Sequence, residues 1–167
     1  MRPTVAIGEW RVAVDLDEAG SIQNQPGTPA FGCSCAWCEN WPQLWPRVFP
    51  ADLVEQLRRL RIDLFHPSDL YGYSESPRGA ECRVIYHTVG KILSGPNVWI
   101  EDPQLGKVFY YARLREAPEL ITLAVVPARE TRDDRPNFDG RDLLQVDFRL
   151  FVPADRDIST TPLVLDR

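Results

Sequence analysis

The chain opens on two short apolar runs. Thr4-Val5-Ala6-Ile7 is β-branched, and Trp10, Val12, Val14 and Leu16 then alternate with other residues. A period of two marks a half-buried strand, so both runs read as strands, turned at Gly8-Glu9. Residues 18–32 carry Gly20, Asn24, Pro26, Gly27 and Pro29 and read as loop. An aromatic residue then precedes a proline every fourth position, at Trp41-Pro42, Trp45-Pro46 and Phe49-Pro50. Each proline removes a backbone donor and crowds the turn before it. The run therefore predicts successive turns that anchor aromatic rings, not a continuous helix. A spacing of four also misses the three-residue turn of polyproline II.

Residues 50–62 are the principal predicted helix. Leu53, Val54, Leu57 and Leu60 share one face at helical spacing. Pro50 suits the first helical position. Asp52 and Glu55 lie near the positive end, and Arg58, Arg59 and Arg61 near the negative end. Residues 68–71 read as a further short helical turn capped by Ser68.

From Gly79 onward the pattern is strand and turn. Residues 81–93, 98–100, 107–114 and 120–126 are strand candidates, with turns at 94–97 and 102–106. Residues 128–142 form a polar loop of mixed charge. Leu144, Val146, Phe148, Leu150 and Val152 supply a second strict alternation, and Leu163-Val164-Leu165 a last short strand. Short strands, tight turns and one sizeable helix with no βαβ alternation give an α+β class, mainly antiparallel β. A sandwich or partly open barrel with the helix at one edge is expected. The 167 residues fit one domain over 1–167.

Charge narrows the partners. Nineteen basic and 24 acidic side chains give a net charge of −5, which argues against nucleic acid. The dense basic run at Arg58, Arg59 and Arg61 reads as a complement to the helix dipole. The apolar run over 120–126 is far short of the about 20 residues a membrane span needs. The first nine residues lack the apolar stretch of a secretory signal. A cytoplasmic location follows as the expectation, with a protein or small molecule as partner and neither nucleic acid nor membrane. Cysteines in that compartment are reduced thiols, metal ligands or redox groups.

Three of the four cysteines fall together, as Cys33-Ser34-Cys35-Ala36-Trp37-Cys38. Structural zinc takes four ligands in a tetrahedron, and thiolates two residues apart suit it. Cys35 and Cys38 are well spaced, and Cys33 is a third candidate. The fourth would come from Cys82, His87 or His66. The second C-x-x-C of a zinc ribbon is missing. Plain packing thiols are the bland alternative. A redox role is another: Cys35-Ala36-Trp37-Cys38 has dithiol spacing, but that motif belongs between a strand and a helix in an α/β fold, and here prolines punctuate the residues that follow. A nucleophilic role would need a cysteine within reach of His87. His87 lies in the strand Tyr86-His87-Thr88-Val89-Gly90, where a packing histidine is the ordinary reading. Asp15/Asp17 and Asp133/Asp134 read as solvated faces. No phosphate loop, dinucleotide fingerprint, G-x-S-x-G or H-E-x-x-H motif occurs.

Cys33-x-Cys35-x-x-Cys38-x-Asn40, the helix led by Phe49-Pro50, Ile62-Asp63 and Tyr86-His87-x-Val89-Gly90 together resemble a family of small uncharacterised bacterial proteins, over roughly residues 30–150. The resemblance implies a bacterial, cytoplasmic protein and brings no activity or ligand with it. Its pattern joins the three clustered cysteines to the strand histidine and leaves Cys82 out. It therefore points to Cys33, Cys35, Cys38 and His87 as the metal set. The expected function is a binding or interaction module with a zinc-holding cysteine turn, the alternative a thiol-dependent enzyme or redox sensor.

Overall fold

The computed structural model describes residues 2–23, 32–133, 136–138 and 142–154. The strand expected at Leu163-Val164-Leu165 lies outside them. Strands β1 (Thr4–Ile7) and β2 (Trp10–Val14) form the expected hairpin, with Val5 opposite Val12 and Ile7 opposite Trp10. Gly8 turns between them at φ 54, a conformation free of strain only for glycine.

Leu16 does not extend β2. It opens helix α1 (Leu16–Ser21), where loop was expected from Glu18 onward. Asp15 is the reason. Its carboxylate accepts from the backbone N–H of Glu18 at 3.1 Å, and Asp17 and Glu18 fill the positive first turn. Asp15 is thus a helix cap, also paired with Arg2 at 3.2 Å, rather than a purely solvated charge.

The proline run also folds otherwise than expected. Helix α2 (Ala36–Val48) is continuous, with Pro42 and Pro46 inside it. Trp37, Trp41, Leu44, Trp45 and Val48 form one buried stripe, while both prolines are exposed. Tertiary burial of that stripe overrides the local penalty of the rings. Helix α3 (Ala51–Arg59) falls within the predicted 50–62 but is shorter, with Pro50 at its N-cap rather than its first helical position, and Leu53, Val54 and Leu57 are buried.

Residues 69–71 are strand, not helix, and Ser68 leads into it. Ser68 donates its backbone N–H to Ile85 at 2.7 Å, and β3 (Asp69–Ser76) runs antiparallel to the 16-residue β4 (Gly79–Ser94). Pairing along β4 gives β3 a ladder of backbone hydrogen bonds, shifted in register between Gly72 and Ser74, which is more than one short helical turn could supply. After β4 come the hairpin β5 (Trp99–Asp102) and β6 (Gly106–Phe109), then β7 (Ala112–Arg115), β8 (Ile121–Pro127) and β9 (Leu143–Pro153). The main sheet has the order β1-β2-β4-β9-β8-β7 and is antiparallel throughout; β3 pairs with β4 as its seventh strand. The sheet does not close into a barrel. The class is α+β, dominated by antiparallel β.

Register decides which residues meet the helices. Cys82, Val84, Tyr86 and Thr88 of β4 stand opposite Leu150, Phe148, Val146 and Leu144 of β9. This is the core face. The Trp41 indole donates to Tyr86 at 3.1 Å and to the Leu64 carbonyl at 2.9 Å, and Phe49 packs on Phe148 at 5.1 Å between ring centres. The opposite face carries Arg83, Ile85 and His87 beside Gln145 and Asp147. Alternation predicts solvent for the polar members of β9, yet Gln145 and Asp147 are both 0% exposed. The segment after β8 covers them.

Candidate metal centre

The three cysteines meet because α2 begins where it does. Cys35 is the N-cap residue, in extended conformation at φ −69 and ψ 157, and its carbonyl accepts from the Glu39 N–H at 3.0 Å. Cys38 lies in the first turn, and Cys33 stands two residues ahead of the cap. The buried Trp37, between Cys35 and Cys38, fixes that turn against the core. All four cysteines of the chain are free thiols; the clustered three are half-buried. The sulfurs of Cys33, Cys35 and Cys38 all lie within 4.8 Å of one another. A tetrahedral site with metal–sulfur bonds of about 2.3 Å needs sulfurs about 3.8 Å apart, so side-chain adjustments of about 1 Å suffice.

The environment treats the thiols unequally. The Cys35 backbone N–H holds the Cys33 thiol below its ordinary range, aided by hydrogen bonds from the other two thiols. Burial pushes the Cys38 thiol well up, and the neighbouring sulfurs add to it. A cation among the three would reverse the second effect, since coordination deprotonates a thiol outright. The N-terminal N–H groups of a helix favour negative charge, and α2 presents them to the cluster.

The other expected ligands lie elsewhere. His87 is buried on the non-core face of β4, its Nδ1 2.7 Å from the Ser68 hydroxyl. It is not in the sulfur group. Cys82 is fully buried on the core face of β4, where desolvation pushes its thiol up to about 12. His66 pairs with Asp63 at 2.9 Å. Among the described residues the candidate site is therefore Cys33, Cys35 and Cys38.

A second polar cluster escaped the sequence pattern. Arg83 of β4 grips Asp147 of β9 with two hydrogen bonds, of 3.1 and 2.6 Å, and Asp133 with two more, of 3.0 and 2.8 Å. Asp133 is thus bound, not merely solvated. The Gln145 amide donates to both carboxylates, at 2.8 and 3.0 Å, and the Tyr111 hydroxyl donates to Asp147 at 3.0 Å. Burial pushes the Asp147 carboxyl upward while Arg83 pulls it back. Every member has its partner, so the cluster ties residues 131–133 to the sheet and leaves no group poised for chemistry. A signal was present: two polar residues, Gln145 and Asp147, inside an otherwise apolar strand. Only the register puts Asp147 diagonal to Arg83 on one face.

Compared with known protein families, with curated proteins and with solved structures, the chain finds no match.

Proposed function

We propose that the protein is a binding or interaction module whose cysteine turn holds a metal ion, zinc by the chemistry of its donors. The observation that carries this is the convergence of three unbridged thiols within 4.8 Å at the start of a helix. Soft thiolates select zinc or copper(I) over hard cations. Three thiolates on a divalent ion leave one net negative charge, which the first turn of α2 accommodates. The ion would join residue 33 to the first turn and so fix where the tryptophan stripe begins. The fourth position falls to solvent or to a group beyond the three cysteines.

Elemental analysis of protein purified without chelator tests the reading. About one zinc per chain is expected, falling in Cys33→Ser and Cys38→Ser, with a loss of thermal stability on chelation. A folded, metal-free protein with four titratable thiols would overturn it.

One observation favours a second reading, a dithiol redox group. Cys35 caps α2 and Cys38 sits one turn in, the helix start that such motifs use. In that case Cys35 and Cys38 would form a disulfide, giving two electrons and two protons to a disulfide acceptor such as oxidised glutathione. Mass spectrometry after equilibration in glutathione buffers separates the two. Reversible loss of two hydrogens from this peptide in zinc-free protein supports the redox reading.

A further inference from the structure

Helix α3 ends in a Schellman motif. The Arg61 N–H donates to Arg58 at 2.9 Å and the Ile62 N–H to Leu57 at 3.1 Å. Arg61 takes the left-handed position, at φ 58, where glycine is the unstrained choice. It is the one non-glycine residue with positive φ among the described residues. A strained arginine is not needed for the helix dipole, since Arg58 and Arg59 already occupy the last turn.

What the strain does is place a third guanidinium beside the other two. Arg58, Arg59 and Arg61 line an open cleft of about 260 Å³ between the end of α3 and the edge strand β1. Thr4, Val5 and Leu16 are on its other side, and no carboxylate lines it. None of the three arginines has an ion-pair partner among the described residues, whereas Arg2, Arg83 and Arg113 all pair with carboxylates. Three cations that pair with no carboxylate among the described residues thus share one cleft of an acidic protein, partly floored by the buried Val5. Guanidinium forks match phosphate and carboxylate oxygens in pairs.

We propose that this cleft binds a small molecule carrying two or more phosphate or carboxylate groups. Its size and the net charge of −5 suit a compact anion rather than a long polyanion. The site is separate from the cysteine turn and stands whether or not a metal binds there.

Titration calorimetry with inorganic pyrophosphate and with citrate, at low ionic strength, tests it and tells the two group chemistries apart. Submillimolar binding of at least one anion is expected, weakening as salt is added. Arg58→Gln and Arg59→Gln should each weaken it by up to about fivefold, as exposed ion contacts do, and the double variant further. Arg61→Gly is the sharper variant: it relieves the backbone, so thermal stability should rise while affinity falls. No binding of either anion overturns the proposal. So does equal affinity in wild type and the double variant, which would put the anion elsewhere. A short single-stranded oligonucleotide binding more tightly than both anions would overturn it in favour of nucleic acid.

Discussion

Replacing Pro42 by alanine should stabilise this protein, although proline is the residue that forbade a helix here on local grounds. Pro42 is the seventh of 13 residues of α2 and is exposed. Its ring nitrogen has no hydrogen, so the Cys38 carbonyl loses its intrahelical donor, and the ring crowds that same carbonyl. It also disfavours the helical conformation of Trp41 before it. An interior proline costs a helix about 3 kcal/mol. Against this, proline restricts the unfolded chain, which returns about 0.4–1 kcal/mol to the folded state. The alanine variant loses little packing, so a net gain of about 2 kcal/mol is expected. For a chain of this size that raises the unfolding midpoint by about 4–8 °C. Urea unfolding should show a higher midpoint with an unchanged slope. Pro42→Gly restores the donor but has poorer helix propensity, by about 1 kcal/mol, and should show about half the gain. Both variants are to be compared in one metal state, because Cys38 is a candidate ligand. A neutral or destabilising Pro42→Ala would refute the reasoning: the tryptophan stripe would then not be holding the helix against its prolines.

Iodoacetamide at neutral pH should modify Cys33 first in metal-free native protein, because its thiol is held low, and should reach Cys82 only on unfolding; early labelling of Cys82 on peptide mapping would contradict its burial. The same Cys82 makes stability pH-dependent in a stated direction. Its folded pKa is raised, so the folded form keeps a proton that the unfolded chain gives up, and stability is lost as pH rises from the ordinary 9.0 toward about 12. Urea midpoints across that window should fall less steeply in Cys82→Ala than in wild type, and identical slopes would exclude the group. Asp147→Ala should cost about 3 kcal/mol, since it leaves the Arg83 guanidinium half-compensated and the Gln145 and Tyr111 donors short of an acceptor; a loss under about 1 kcal/mol in urea would show that Asp133 alone satisfies the cluster.

Strands that alternate are legible because a period of two reports directly which side of a residue faces the core, whereas β3 carries no such pattern and its start reads as a helical turn. β2 and β9 are readable that way from Trp10, Val12 and Val14 and from Leu144 to Val152. Helix α2 resists a local reading because two rules conflict there. Trp37, Trp41 and Trp45 recur every four residues, a helical stripe, and two of them precede prolines. Magnitude settles it: a buried indole removes about 150–250 Å² from water, worth about 4–6 kcal/mol at about 25 cal/mol/Å². Three such rings outweigh two prolines at about 3 kcal/mol each. They reach the core together only if the backbone between them is helical. The same conflict hid the candidate site's geometry. Spacing alone leaves Cys33 and Cys38 up to about 17 Å apart in an extended chain, so only the turn at the start of α2 brings the three sulfurs within 4.8 Å. That Cys35 would cap a helix could not be read until α2 itself was. Arg83 and Asp147, by contrast, are 64 positions apart. Their pairing needs the register of β4 against β9, which no local pattern carries. Short-range chemistry was therefore visible in this chain, and chemistry assembled across strands was not. The cleft at the end of α3 lies between: its arginines form one visible run, but only the left-handed backbone at Arg61 separates a receptor from a helix-dipole complement.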